Sequence, residues 1–548
     1  MIRSGISLLV VLYFLIFVID LQAQISEGGI PPSFQTNLKS WQEVPLINLP
    51  EVDEERLQQE DYARDPSGQC EYRIATGFLV DLDPGNSGLW EEINGDDKLW
   101  RLRILSKGAQ AIHVFFDKYV LPEDARLFIY NREKTEILGA FTFRNNKSSG
   151  QLAIAPVRGE EITIEYFEPA EVLFSGQLHI STIGHNYRGN SLSGTTGFGD
   201  SEPCNKDINC TEGKDWQKEK RSVCMILFQN FSGDYFICSG ALINTANNDG
   251  KPYLLTANHC LPTAIEAGSA VFYFNYESPA CLPRTDGDMT QTVSGSTIRG
   301  TYNRLDFCLV ELSTSPLPDH KPYYSGWDIT TNPPQSCTTI HHPLGDVKKI
   351  SFYNKSPVTG NFIYRFDFDD NTHWYIDNWS KGITQGGSSG SPLYNQDHRI
   401  VGDLTGGTAE GQNCTSADAY YAKFSDSWAN YSDSMYQLKY WLDPDNSGVT
   451  FVDGYDPFVT GLNNHAGKKH YISIDPNPSE GLIMIDFNID EPVKMIRLFD
   501  LSGRLMKSWS KQEFIKSRQL DLSSFPSGIY MIEIQTSTTV VTQKLILK

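Results

Sequence analysis

Cysteine placement constrains this chain more than any other feature. Ten cysteines occur in 548 residues: Cys70 stands alone, nine fall between Cys204 and Cys414, and none follows Cys414. Such usage fits an oxidising compartment. The clustering predicts a disulfide-pinned central domain with differently built flanks. One hydrophobic core does not serve a chain of this length, so three or more folded units are expected. The formal net charge of −21, with no basic tract, argues against nucleic acid as a partner.

The N-terminus predicts export. Arg3 precedes the apolar run "ISLLVVLYFLIFVI", and small Ala23 suits the last position before a signal-peptide cut. The run spans residues 6–19, short of the ~18–20 residues that a membrane-spanning helix needs. Residues 24–70 are polar and acidic ("EVDEERLQQEDYARD") and are expected to be extended. From about 75 to 180, runs such as "WRLRIL", "AIHVFF", "RLFIY" and "EITIEYF" alternate at strand spacing. "YRGNSLSGTTGFGDSEPC" (187–204) reads as an exposed linker and a processing site. The cysteine-rich block, about 200–455, has short strands and one expected helix at "SDSMYQLKYWL" (432–442). The predicted organisation is therefore 1–23 signal peptide, 24–196 pro-region, 197–455 central domain, 456–472 linker and 473–548 C-terminal β-domain.

Within the central block, "TQGGSSGSPLYN" (384–395) holds three serines braced by glycines. Alone, such a cluster makes a solvated turn. A serine hydroxyl is a poor nucleophile unless a base takes its proton, a carboxylate orients the base and N–H groups hold the oxyanion. "CSGALINTANNDGKPYLLTANHC" supplies a base, His259, at the end of an apolar strand. A Cys238–Cys260 disulfide would fix the backbone beside it, contributing roughly 3 kcal/mol on the loop-entropy model. In "NRLDFCLVELS", Asp306 opens an apolar strand, where an acidic residue needs a buried partner. The order His259, Asp306, Ser389 is that of the double-barrel serine proteases. On this reading Ser389 is the nucleophile, the N–H groups of Gly387 and Ser389 form the oxyanion hole, and Ser388 and Ser391 are loop residues.

These segments resemble a known family. "TANHC", "DFCLVELS", "GSSGSP", "WLDPDNSGVTFVDG", "CNKDINC", "GWD" and "IHHP" are similar to the bacterial lysyl endopeptidases of the trypsin-like clan, over about 200–455. The resemblance implies an all-β, chymotrypsin-like double barrel with His259, Asp306 and Ser389 as its triad. It implies the disulfides Cys204–Cys414, Cys210–Cys281 and Cys238–Cys260, and makes His341 and His342 structural rather than metal ligands. Cys224, Cys308 and Cys337 exceed that pattern, so a thiol stays free or pairs with Cys70. The trypsin pocket Asp is replaced by Ile383. The resemblance implies instead a carboxylate from "SADAYYAKF", Asp418, selecting Lys or Arg, with Thr405, Gly406 and Gly407 forming the pocket edge. Thr405 stands where the relatives have His, which leaves Lys-only specificity open. The nearest basic residue before Cys204 is Arg188, so self-maturation there would require acceptance of Arg.

The segment 75–185 resembles pro-regions of this protease group. "DPNPSEG", "LFDLSGRL", "FPSGIYMIEI" and the terminal "KLILK" resemble the type IX secretion sorting domain of Bacteroidetes-type bacteria, expected as a β-sandwich. The resulting expectation is a secreted serine endopeptidase, monomeric when mature, that cuts proteins after basic residues, passes through the type IX machinery and needs no cofactor. "DPDNSG" (443–448) lacks the closing Glu of a calcium loop. The rivals are a broad trypsin-like protease and a catalytically silent adhesin on the same scaffold.

Overall fold

The computed structural model describes residues 26–36, 38–65, 71–188, 197–363, 367–408, 413–458, 472–475, 477–487, 494–500, 504–510, 519–535 and 540–548. The signal segment, Cys70, residues 189–196 of the linker 187–204 and most of the 456–472 linker lie outside them. Strands dominate, as expected. Two compact units divide at residue 456. The segment expected as a separate pro-region belongs to the same unit as the central domain.

Seven strands of that domain form one run, in the order 292–294, 271–274, 223–229, 235–242, 253–257, 307–312 and 296–302. The first and last are separated in the chain by Gly295 alone, so the run curls back on itself as a barrel. Cys224, Ile226, Leu254, Phe272 and Val310 fill its interior. A second run orders 349–353, 337–341, 392–394, 399–406, 419–423 and 373–376. Its apolar residues, including Trp374, Ile383, Leu393, Leu404 and Tyr421, pack as another cluster. A shared core of Leu255, Phe307, Trp327, Ile340 and Ile400 joins the two. This is the expected double barrel.

The upstream segment continues the first barrel's sheet. The strand Tyr72–Leu82 pairs with Tyr235–Leu242, placing Ala75 opposite Tyr235 and Tyr72 opposite Ile237. Ile74, Ala75 and Phe115 then pack on Met225, Leu227, Ile237 and Tyr273. Arg73 bonds Asp61 at 2.7 Å and Asp234 at 3.5 Å. Arg188 is held by Asp61 at 2.7 Å and by the Tyr72 hydroxyl at 3.0 Å.

Two local expectations fail. Residues 54–64, expected to be extended, form a helix. Asp53 caps it by accepting from Arg56 N at 3.0 Å, and acidic residues in its first turn and Arg64 in its last complement the helix dipole. The helix expected over 432–442 is a 3-10 turn, Ser434–Tyr436, and one α-turn, Lys439–Leu442. Gln437, extended at φ −149° and ψ 148°, separates them. The second unit is a sandwich: strands from a three-stranded and a four-stranded sheet share a core containing Ile483, Ile485, Leu498, Ile532 and Leu545.

His113, on the strand Ala111–Val120, lies buried where the upstream segment meets the barrel, its ring 4.3 Å from that of Tyr235. Neither ring nitrogen has a hydrogen-bond partner among the described residues. Burial pushes the imidazole down to about 3. In the unfolded chain it titrates near 6.5, so its contribution to stability is full above that pH and is lost as the pH falls toward 3. Acid titration followed by tryptophan fluorescence should therefore place the unfolding midpoint of His113→Phe below that of the parent. Coincident midpoints would refute this.

Candidate active site

The strands Tyr253–Ala257 and Phe307–Leu312 are antiparallel neighbours, with Ala257 opposite Phe307. His259 and Asp306, just beyond that pair, therefore meet at one barrel end. His259 Nδ1 lies 2.9 Å and 3.1 Å from the two Asp306 oxygens, and His259 N donates to Oδ1 at 3.1 Å. Asp306 is 1% exposed and adopts φ 50°, a left-handed conformation that aspartate tolerates better than most residues. The Cys238–Cys260 disulfide is present beside His259.

Ser389 comes from the other barrel. Its carbonyl accepts from Ser239 N at 2.8 Å, and the Gly387 carbonyl accepts from Ser239 Oγ at 2.9 Å. Gly390, at φ 75°, lies against the strand that ends at His259: a β-carbon there would stand 2.1 Å from Thr256 Oγ1 and 2.7 Å from Ala257 N. Gly387 also has a positive φ, 87°. The Gly386 carbonyl accepts from Leu344 N and the Ser388 carbonyl from Ser391 N. In a trans peptide this turns the following N–H, of Gly387 or Ser389, the opposite way. Neither N–H donates to a described residue. Ser389 is buried, and its Oγ has no hydrogen-bond partner among the described residues. No hydrogen bond joins Ser389 Oγ to the imidazole. Ser388 Oγ is engaged by His341 Nδ1 at 2.8 Å, and His341 Nε2 by Ser351 at 3.1 Å. His342 Nδ1 meets the Asp346 carbonyl at 3.0 Å. These contacts fix the loop.

A cavity of about 480 Å³ opens beside the pair, lined by His259, Asp306, Arg304, Phe368 and, from the upstream segment, Glu71. The sulfurs of Cys238 and Cys260 lie near a His259 ring nitrogen, but they are bonded to each other.

Two further groups near Asp306 escaped the sequence reading. Asp403, in the strand Arg399–Gly406, is buried, and burial followed by the Asp306 charge holds its carboxyl well above the usual range. His373 is pushed down to about 4 by burial and bonds Thr405 Oγ1 at 3.1 Å. An Asp inside the apolar run "RIVGDLTGG" was the available signal. Thr405 is thereby tied to His373 of the strand His373–Ile376, which lies beyond the strand Ala419–Lys423, while Gly406 pairs with Tyr420.

Asp418 is 6% exposed and accepts from Thr408 N at 3.0 Å and from Thr408 Oγ1 at 2.6 Å. It precedes the strand Ala419–Lys423, whose Ala419 and Tyr421 pack with Ile383 and Leu404. Asp418 and Tyr420 alternate with these residues, and the Asp418 charge acts on Tyr375 and Tyr420.

The disulfides Cys204–Cys414 and Cys210–Cys281 are present. Cys224, Cys308 and Cys337 are all buried thiols, not one leftover as cysteine arithmetic left open. Burial pushes the Cys308 thiol up to about 12, which keeps it unreactive.

Residues 198–422 match the family described as lysyl endopeptidase, C-terminal domain, and residues 473–548 match the secretion system C-terminal sorting domain. The chain is 26% identical over 292 residues to the lysyl endopeptidase of Pseudomonas aeruginosa, over 50% of this chain and 61% of that protein. It is 24% identical over 316 residues to secreted RxLR effector protein 73 of Plasmopara viticola, over 54% and 74%. Among solved structures, protease Anisep of Arthrobacter nicotinovorans matches with TM-score 0.28 and 18% identity, over 38% of this chain and 91% of that one. Serine protease AL20 of an extremophilic microorganism matches with TM-score 0.27 and 14% identity, over 38% and 92%.

The packing of Gly390 yields a direct test. Gly390→Ala should push the Ser389 loop off the His259 strand and lower kcat/KM by about 100-fold, on the scale of an ångström-size misplacement. Retained activity would show that this contact does not set the site.

Proposed function

We propose that this chain is the precursor of a secreted serine endopeptidase that cleaves after basic residues, Lys preferred and Arg admissible. The observation that carries the reading is the His259–Asp306 pair at 2.9 Å, with the Ser389 loop sutured to the same barrel through Ser239. The matches to a lysyl endopeptidase domain and to a sorting domain support the substrate class and the route.

In the proposed mechanism His259 takes the Ser389 proton as the oxygen attacks the carbonyl after the basic residue. Asp306 keeps the imidazole proton on Nδ1, so that Nε2 serves as the base. The Gly387 and Ser389 N–H groups receive the oxyanion. His259 then protonates the departing amine, and water repeats the sequence on the acyl-enzyme. Asp418 is the proposed acceptor of the substrate's cation, and Thr405, Gly406 and Gly407 the edge that pairs with substrate backbone. The burial of Asp418 beside Tyr375 and Tyr420 supports a site that favours a cationic ligand over a neutral one.

Residues 24–196 serve as a pro-region on this reading. Full burial of Ser389 and the presence of Glu71 beside His259 support it. Residues 473–548 direct export through a type IX system, as in Bacteroidetes-type bacteria, after an N-terminal signal peptide.

Two measurements test the assignment. A peptide map of a denatured protein digested by the matured enzyme should show cuts after Lys, with fewer after Arg, and none with Ser389→Ala. Cuts without basic preference, or cuts surviving in the variant, would refute it. Asp306→Asn should lower kcat by about 10⁴-fold with little change in fold, because asparagine also accepts the left-handed conformation at 306. Wild-type turnover would remove Asp306 from the mechanism.

A further inference from the structure

Thr405 is the odd residue of its strand. Where Arg399–Gly406 pairs with Ala419–Lys423, Leu404 lies opposite Tyr421 and Gly406 opposite Tyr420, so Thr405 has no partner in the ladder. Such a bulge re-aims one residue and frees its backbone from the sheet's regular hydrogen bonds. Thr405 is nevertheless buried, and its hydroxyl meets His373 Nε2 at 3.1 Å. The imidazole reaches it over the intervening strand. His373 lies opposite Ala422, and Ala422 opposite Asp403, so the three side chains stand in one row on one face of the sheet. Alanine in the middle of that row leaves the ring room to reach Thr405.

The proton positions follow from the partners. The Thr372 hydroxyl donates to the Asp369 carbonyl at 2.7 Å, so toward His373 Nδ1, 3.2 Å away, its oxygen is the acceptor. Nδ1 therefore carries the proton, and Nε2 accepts from the Thr405 hydroxyl. Burial holds the imidazole down to about 4, which keeps it in this neutral form at neutral pH. Phe368 and Phe362 bracket the ring, their centroids 5.0 Å and 6.1 Å from it. Phe368 also lines the cavity that holds His259 and Asp306. Asp369, whose carbonyl ends the relay, bonds Arg304 at 2.6 Å, and Arg304 lines the same cavity.

We infer that His373 is a positioning residue for substrate binding: by accepting the Thr405 hydroxyl it fixes the bulged end of the strand, and with it the 405–407 edge, relative to the cavity wall beside His259. The inference rests on the proposed reading of that edge as the segment that pairs with substrate backbone. His373 acts through Thr405 and touches no reacting atom. A substrate with several residues before the cut uses the edge, whereas one with none does not. Because the imidazole is neutral, a neutral replacement alters position without altering the charge beside Asp306.

The test uses enzyme matured from the full chain and two lysyl anilides with the same leaving group, one carrying three residues before the lysine and the other none. His373→Phe should raise KM for the long substrate by about fivefold, the scale of one neutral hydrogen bond, with kcat little changed, and should leave KM for the short substrate unmoved. That split marks lost binding rather than lost chemistry. His373→Gln, whose side-chain oxygen can take the same proton, should recover the long-substrate KM. Thr405→Val should match His373→Phe, and the double variant should be no worse than either single one. Should phenylalanine impair folding, His373→Asn is read in its place, since it can still donate to Thr372 and is too short to reach Thr405. An unchanged long-substrate KM, equal rises for both substrates, or additive effects in the double variant would overturn the role of His373. Equal KM for the two substrates in the parent enzyme would overturn the edge reading itself, and this inference with it.

Discussion

Ser239 joins the two barrels, and the candidate site depends on that suture. Its N–H donates to the Ser389 carbonyl, its hydroxyl to the Gly387 carbonyl, and its own carbonyl accepts from Thr256 Oγ1. His342 N donates in turn to the Ser239 hydroxyl at 3.0 Å. One buried serine thereby fixes the loop of one barrel on the strand of the other that leads to His259. Such a contact fixes position more than it adds stability, since a buried hydrogen bond contributes only about 1 kcal/mol net, whereas misplacing reacting atoms by an ångström costs far more in rate.

The electrostatics beneath the site follow from the same crowding. Asp306, Asp403 and His373 come together in a water-poor interior, where two adjacent carboxylates resist joint ionisation. Burial and the charge of Asp306 push the Asp403 carboxyl well above its usual range, and burial pushes His373 down to about 4. Asp306 is then the carboxylate that faces the imidazole, bonded to it through both oxygens.

How much of this was legible in sequence depends on the range of each interaction. His259 and Asp306 could be found because each ends or opens an apolar strand, where a polar residue must have a partner. The Ser389 loop stood out only once His259 and Asp306 were identified, since its Gly/Ser cluster alone reads as a solvated turn. The helix Glu54–Arg64 was hidden by acidic composition, although Asp53 and the Glu54–Glu55 pair form a recognisable start. Asp418 was placed by resemblance alone. Its capture by Thr408 leaves no trace in local pattern, because the two residues are ten positions apart and meet only where the hairpin brings them together. Cysteine arithmetic failed for a similar reason: Cys224, Cys308 and Cys337 serve as small apolar residues in strand interiors, a use that counting cannot distinguish from pairing.

The upstream segment, expected as a β-rich pro-region, shares a sheet with the first barrel. Its strand Tyr72–Leu82 pairs with the very strand, Tyr235–Leu242, that carries Ser239 and Cys238. The upstream strand and the Ser389 loop are thus mechanically linked through one strand. The backbone groups of residues 235–237 and the apolar faces of Leu227, Ile237 and Tyr273 are satisfied here by the upstream segment, and an edge strand stripped of such a partner invites another. Any maturation that removes residues 24–196 must therefore re-cover this edge or leave it to solvent while the same strand continues to hold the Ser389 loop. Disulfide Cys238–Cys260 sits on that strand one residue before Ser239. It ties the strand to the residue after His259, so the barrel end that bears the candidate site keeps its covalent tie whether or not the neighbouring strand remains.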